Sequence, residues 1–235
     1  MRKKRRWMIP LLAVVLLAAV FFAYVGSCRH SEADARAALA SDEAVHVSKT
    51  EYGWFFDGPS EERSLIFYPG GKVEETAYAP LLRRLAENGL DVFLVRMPFH
   101  LAIFGMNRAA EVMKEADYAQ WYVGGHSLGG AMAAVFAAGN PEGLDGVILF
   151  AAYPTKTIDE RLLVISVYGS EDGVLDMEKV TEGRQYLSGT YVEHVIPGGN
   201  HAQFGNYGLQ DGDGDALISS EEQQRRTVEL ILQNR

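Results

Sequence analysis

Thiol chemistry is almost absent from this chain: Cys28 is the one cysteine in 235 residues. No intrachain disulfide can form, so stability must come from a packed core rather than from cross-links. Fixed-period repeats and low-complexity tracts are also missing, which excludes a solenoid or a repeat array. Positive charge is scarce once the extreme N-terminus is passed. Five basic residues occupy positions 2–6, and beyond them 17 Lys and Arg stand against 31 Asp and Glu, a formal charge of −14. So acidic a body excludes nucleic acid as a partner and broad adhesion to anionic lipid, and serves solubility. The composition, 48% hydrophobic and 23% charged, is that of a globular chain long enough for one sizeable core.

One long apolar run is present. Arg2, Lys3, Lys4, Arg5 and Arg6 precede an uncharged stretch from Trp7 to Cys28. That stretch is about the 20 residues a bilayer core requires. Basic residues ahead of it keep the N-terminus in the cytoplasm and send the remainder across. Residues 1–28 are therefore expected to act as a membrane anchor or as a lipoprotein-type signal, since small residues precede Cys28 in "VGSC". Residues 29–44, polar and rich in alanine, read as a tether. Residues 45–235 read as the exported, membrane-tethered domain.

Within that domain, short apolar runs alternate with helical patterns. "VHVSKT" and "YGWFFDG" read as two strands joined by a turn; "SLIFYPGG", "DVFLVRM", "QWYVGG", "GVILFAAY", "LLVISVYGS" and "TYVEHVIPGG" read as further strands. Helices are expected over "EETAYAPLLRRLAENG", "MNRAAEVMKEA", "LGGAMAAVFAAG", "MEKVTEGRQYL" and "EEQQRRTVELILQN". Unbroken apolar strands alternating with helices indicate an α/β architecture, a parallel sheet covered on both faces. Ligands of such sheets bind beyond the C-terminal ends of the strands.

Chemistry is concentrated there. Gly125-His126-Ser127-Leu128-Gly129 fits G-x-S-x-G between an expected strand and an expected helix, the context the motif requires. A serine on so sharp a turn projects from the top of the sheet, over a helix N-terminus that favours negative charge. It needs a base, and the base needs an orienting carboxylate, in the chain order Ser, then Asp or Glu, then His. Asp172 follows "LLVISVYGS", with Glu171 as the alternative acid, and His201 follows the last strand. His194 lies within that strand, His126 points away from the serine, and the three remaining histidines precede it. An oxyanion needs two backbone donors: Leu128, next to the nucleophile, and Gly71 in "YPGGK", with Lys72 as the alternative.

The stretches "FYPGGKVEETAYAPLLRRLAENGLDVFLVRMPF", "GGHSLGG", "YGSEDGVL" and "GGNHAQFGNYG" resemble the α/β-hydrolase superfamily, in a compact bacterial branch with dienelactone-hydrolase-like organisation. The resemblance spans about residues 45–235. It implies an eight-stranded, mostly parallel sheet with helices on both faces, and the roles of nucleophile, acid and base for Ser127, Asp172 and His201. Dienelactone hydrolases use a cysteine where this chain has Ser127, so their substrate is not carried over. Many relatives insert a cap before "RLLVISVYGS"; the few residues available here leave no room for a cap domain. The pocket wall is expected instead in "PFHLAIFGMN", where Phe99 and Phe104 would line an acyl site.

"DGDGDALISSEE" forms a second constellation. Asp211, Asp213, Asp215 and Glu222 fall at the first, third, fifth and twelfth positions of an EF-hand-like loop, a spacing that suits a structural calcium ion. Ala216 stands where that loop wants glycine, and the same acids would also suit the N-terminus of the last helix. Catalysis itself would need no cofactor. The resulting expectation is a serine hydrolase acting on a small-molecule carboxylic ester. An amidase or peptidase on the same residues, or a binding protein retaining the fold, are the alternatives, and the oligomeric state is left open.

Overall fold

The computed structural model describes residues 2–234; the side chains of residues 2–6, 8 and 25 lie outside that description. Eight strands form one sheet: β1 (His46–Lys49), β2 (Gly53–Asp57), β3 (Arg63–Tyr68), β4 (Asp91–Val95), β5 (Gln120–His126), β6 (Gly146–Phe150), β7 (Leu163–Gly169) and β8 (Tyr191–Ile196). Their spatial order is β1-β2-β4-β3-β5-β6-β7-β8. The β1–β2 and β2–β4 pairs are antiparallel, and every pair from β4 through β3 to β8 is parallel.

The pleat explains the continuous apolar runs. Leu65 and Phe67 of β3 enter one core, while Ile66 and Tyr68 enter the other. The first core lies under α3 (Ala79–Glu87) and α7 (Ser220–Leu232), which contribute Leu81, Leu82, Leu85, Val228 and Ile231. The second lies under α4 (Arg108–Val112) and α5 (Leu128–Gly139), where Ala109, Val112, Ala133, Ala134, Phe136 and Ala137 are buried. The small α6 (Met177–Gly183) starts at Asp176, whose side chain accepts from the amides of Glu178 and Lys179. Residues 151–162 connect β6 to β7 without a cap domain.

At the N-terminus, α1 spans Arg2–Gly26 and α2 spans Ala33–Ala37. Among the described residues, no helix is long and apolar enough to cross a membrane. Residues 29–44 differ from the expected tether, because they pack along the domain. Arg29 forms a parallel bridge with Val73. Its N–H donates to Lys72 O at 2.7 Å, and its carbonyl accepts from Glu74 N at 2.8 Å. Ser31 N–H donates to the Glu74 carboxylate, Glu32 N–H to Asn206 O, and Ala35 is fully buried. Polar, alanine-rich composition marks solvated chain in general; here Ala35 and several backbone groups found partners on the domain surface.

Candidate active site

The residues that matter sit past the C-terminal ends of parallel strands: Pro69–Lys72 after β3, Ser127 after β5, Asp172 after β7 and His201 after β8. The turn at Ser127 is sharp. Its φ of 53° and ψ of −122° are unusual for a residue bearing a side chain, a strain worth about 1–3 kcal/mol that the surroundings must hold in place. Hydrogen bonds from Ser127 N to Phe150 O (2.9 Å) and from Ala131 N to Ser127 O (3.0 Å) fix both sides of the turn. The glycines around it are required by close approach. A Cβ on Gly125 or on Gly129 would overlap the carbonyl of Tyr68, and one on Gly130 would overlap the carbonyl of Gly125. Strand and helix can therefore meet only if these positions carry no side chain.

His201 and Asp172 are joined: Nδ1 lies 2.8 Å from Oδ2, and the two side chains are 2% and 1% exposed. A carboxylate only accepts, so Nδ1 carries the proton and a neutral ring presents its lone pair at Nε2. That Nε2 is buried and, among the described residues, has no hydrogen-bond partner. The other oxygen of Asp172 accepts from Val174 N (2.9 Å) and Leu175 N (2.7 Å), which fixes the carboxylate plane. Glu171, the alternative acid, turns instead to the Ser170 hydroxyl at 2.8 Å. Ser127 and His201 line one cavity of about 180 Å³, walled by Ala131, Ala151, Ala152, Tyr153, Val174 and Leu175. No hydrogen bond joins Ser127 Oγ to His201; such bonds commonly close only when substrate arrives.

Three consecutive amides after β3 have different fates. Gly70 N–H donates to the Tyr78 hydroxyl at 3.0 Å, and Lys72 N–H donates to His100 O at 2.8 Å. The Gly71 amide is not used in this way, and a Cβ at Gly71 would come within 3.0 Å of the Leu128 side chain. The Gly71 backbone thus lies beside the first turn of α5, where Leu128 offers a second amide at a helix N-terminus. Tyr78 was not singled out by the sequence pattern. Its oxygen accepts from Gly70 and lies 2.8 Å from His126 Nδ1, so the phenol proton goes to that nitrogen. Burial drives the His126 imidazole well below its ordinary range, and the neighbouring His201 adds to the effect. The two rings lie 4.4 Å apart.

Two expectations are corrected. Phe99 and Phe104 do not line the cavity beside Ser127. They are 46% and 54% exposed and pack edge-on against Phe21 of α1 at 5.4 and 6.5 Å. Phe99 and His100 both have positive φ, and the cavity wall comes from α5 and from the segments after β6 and β7. The acidic stretch does not converge on a calcium site either. The Asp213 carboxylate accepts four backbone N–H groups. Glu222 is held by Arg225 and Arg226, which bring its carboxyl down to about 2. Asp211 and Asp215 are exposed. Among the described residues no group of three or more His, Cys, Asp or Glu could hold a metal ion. Ser219 instead caps α7 by accepting from Glu222 N at 3.2 Å.

The profile of the alpha/beta hydrolase family matches residues 64–225. No curated protein is significantly similar in sequence. Solved structures share the fold at low identity. A predicted CIB-like hydrolase from Thermoplasma acidophilum is 17% identical, with a TM-score of 0.59 over 80% of this chain and 99% of that one. Dienelactone hydrolase from Anabaena variabilis is 13% identical, with a TM-score of 0.56 over 83% and 99%. Carboxylesterase CesB from Bacillus subtilis is 11% identical, with a TM-score of 0.57 over 92% and 97%.

Proposed function

Because the chain belongs to the alpha/beta hydrolase family, we propose that it is a serine hydrolase of carboxylic esters, tethered to a membrane by its N-terminal segment. The observation that carries this reading is the 2.8 Å bond between His201 Nδ1 and Asp172, with Nε2 left without a hydrogen-bond partner among the described residues and Ser127 and His201 lining one cavity.

Ser127 Oγ attacks the ester carbonyl while His201 Nε2 takes its proton. Asp172 keeps the imidazole in the needed tautomer and stabilises the imidazolium. The oxyanion accepts from the amides of Leu128 and Gly71. His201 returns the proton to the leaving alcohol, leaving an acyl-enzyme that water cleaves by the same steps. The small apolar walls at Ala131, Ala152 and Val174 suit an acyl or alcohol portion of modest size.

The tether rests on the uncharged run from Trp7 to Cys28 behind five basic residues. Chain leaving that run is paired at Arg29 with Lys72 and Glu74, so a membrane-held segment would keep the Gly71 loop close to the bilayer. Conversion of Ser127 to alanine should abolish hydrolysis of p-nitrophenyl butyrate while the circular dichroism spectrum is kept; retention of more than a tenth of the activity would refute the serine mechanism. The full chain should stay with membranes through carbonate extraction, and removal of residues 1–28 should release it.

A further inference from the structure

We infer that Asp213 is a positioning residue for His201, holding the base loop against the acid loop; this rests on the proposed roles of Ser127, His201 and Asp172.

The base follows β8 at the start of a short 3-10 helix (Ala202–Phe204), whose first N–H groups have no acceptor within the helix and need one from elsewhere. They find side chains. Asn200 N–H donates to Gln223 Oε1 at 2.9 Å, and Gln223 Nε2 returns a bond to Asn200 O at 2.8 Å. His201 N–H donates to Asp213 Oδ1 at 3.1 Å, and Ala202 N–H to Asp213 Oδ2 at 2.8 Å. Asp213 Oδ1 also accepts from Gly214 N at 2.9 Å and from Gly173 N at 3.1 Å. Gly173 is the residue after Asp172. One carboxylate therefore grips the backbone of the base and the backbone next to the acid.

Gly214 of "DGDGD" and Gly173 of the acid loop make this possible. A Cβ on Gly214 would overlap Glu171 O, and one on Gly173 would overlap Gly212 O. The two backbones run in contact, with Asp213 between them and the base loop. Asn200 adds a bond from Nδ2 to Gly214 O at 2.9 Å. Among the described residues Asp213 has no ion-pair partner; backbone N–H dipoles surround its charge, and such charge-assisted bonds are stronger than neutral ones. The acidic motif thus works as a clamp rather than as a cation cage.

A clamp of this kind matters because the 2.8 Å contact between His201 and Asp172 depends on two loops from different strands keeping their relative position. A displacement of 1 Å remote from the reacting bond can cost about 10²-fold in rate. Asparagine at 213 replaces one acceptor oxygen by an NH₂ group that faces other donors.

The test uses the full chain and its Asp213→Asn variant, with Asp215→Asn as control. Three quantities are read: kcat and KM for p-nitrophenyl butyrate below the melting temperature of each protein, and the downfield proton resonance of His201 Nδ1–H. The expected result is a kcat lowered about 10²-fold with KM within threefold, the downfield resonance broadened or lost, and a silent control. Wild-type kcat and an unchanged resonance in folded Asp213→Asn would overturn the proposal, as would an equal loss in the control. Hydrogen exchange of the wild type serves if the variant does not fold: the His201 and Ala202 amides should exchange as slowly as those of β7, and rapid exchange would overturn the clamp. A wild type that hydrolyses no ester would instead refute the underlying triad, and the resonance and exchange measurements separate the two failures.

Discussion

Asp172 Oδ2 accepts from His201 Nδ1 at 2.8 Å, in a contact almost sealed from water. The acid is held by two amides of its own loop, and the neighbouring carboxylate of Glu171 faces away. Asp172→Asn should therefore lower kcat by roughly 10³–10⁴-fold, the scale seen when a triad carboxylate is neutralised in another hydrolase. Glu171→Gln should stay within about threefold of wild type. Steady-state kinetics on a p-nitrophenyl ester decides between them, and the reverse ranking would move the acid to Glu171.

Tyr78 links the loop of Gly71 to the strand that carries Ser127. Its hydroxyl satisfies Gly70 N–H and reaches His126 in a buried site. Tyr78→Phe leaves that amide without an acceptor, which should cost about 1–3 kcal/mol of stability in urea unfolding. It also loosens the backbone at Gly71, so kcat should fall with it. A variant as stable as wild type would show that water replaces the hydroxyl.

Acidification should destabilise the fold through His126. Burial keeps this imidazole neutral in the folded state, whereas the unfolded chain takes up a proton near pH 6.5. The unfolded state binds more protons below that point, so stability is fully present above about pH 6.5 and falls as pH drops beneath it. One such group contributes up to about 1.4 kcal/mol per pH unit. Urea midpoints between pH 5 and 8 measure the slope; a flat profile from pH 6.5 down to 5 would contradict a buried neutral His126.

Calcium should leave the melting temperature unchanged. The Asp213 carboxylate is occupied by four N–H groups and Glu222 by two arginines. Melts in millimolar calcium and in chelator should coincide, and a rise of several degrees with calcium would restore the cation reading.

Much of the architecture is legible in the sequence because its signals are local. Short, β-branched apolar runs such as "LLVISVYG", closed by turn residues, read as strands buried on both faces, and G-x-S-x-G between strand and helix places Ser127 at a strand end. Side-chain chemistry at loop ends reads less well. The spacing of Asp211, Asp213, Asp215 and Glu222 fits a cation loop, yet the same glycines let one backbone lie against another, and sequence alone does not say which acceptor those acids meet. Phe99 and Phe104 lie exposed beside α1, in a loop with positive φ at residues 99 and 100 that neither residue type signals. Tyr78 lies in a helical pattern where an aromatic reads as core, and its hydroxyl gains meaning only from Gly70 and His126 across the fold.

Covalent labelling of the full chain with a fluorophosphonate probe, followed by peptide mapping, tests the central claim most directly. The account predicts one adduct, on the peptide containing Ser127, formed in the wild type and absent from Ser127→Ala, with labelling slowed strongly in a His201→Ala variant. Absence of labelling in a folded wild type that hydrolyses esters, or an adduct on any other residue, would contradict it.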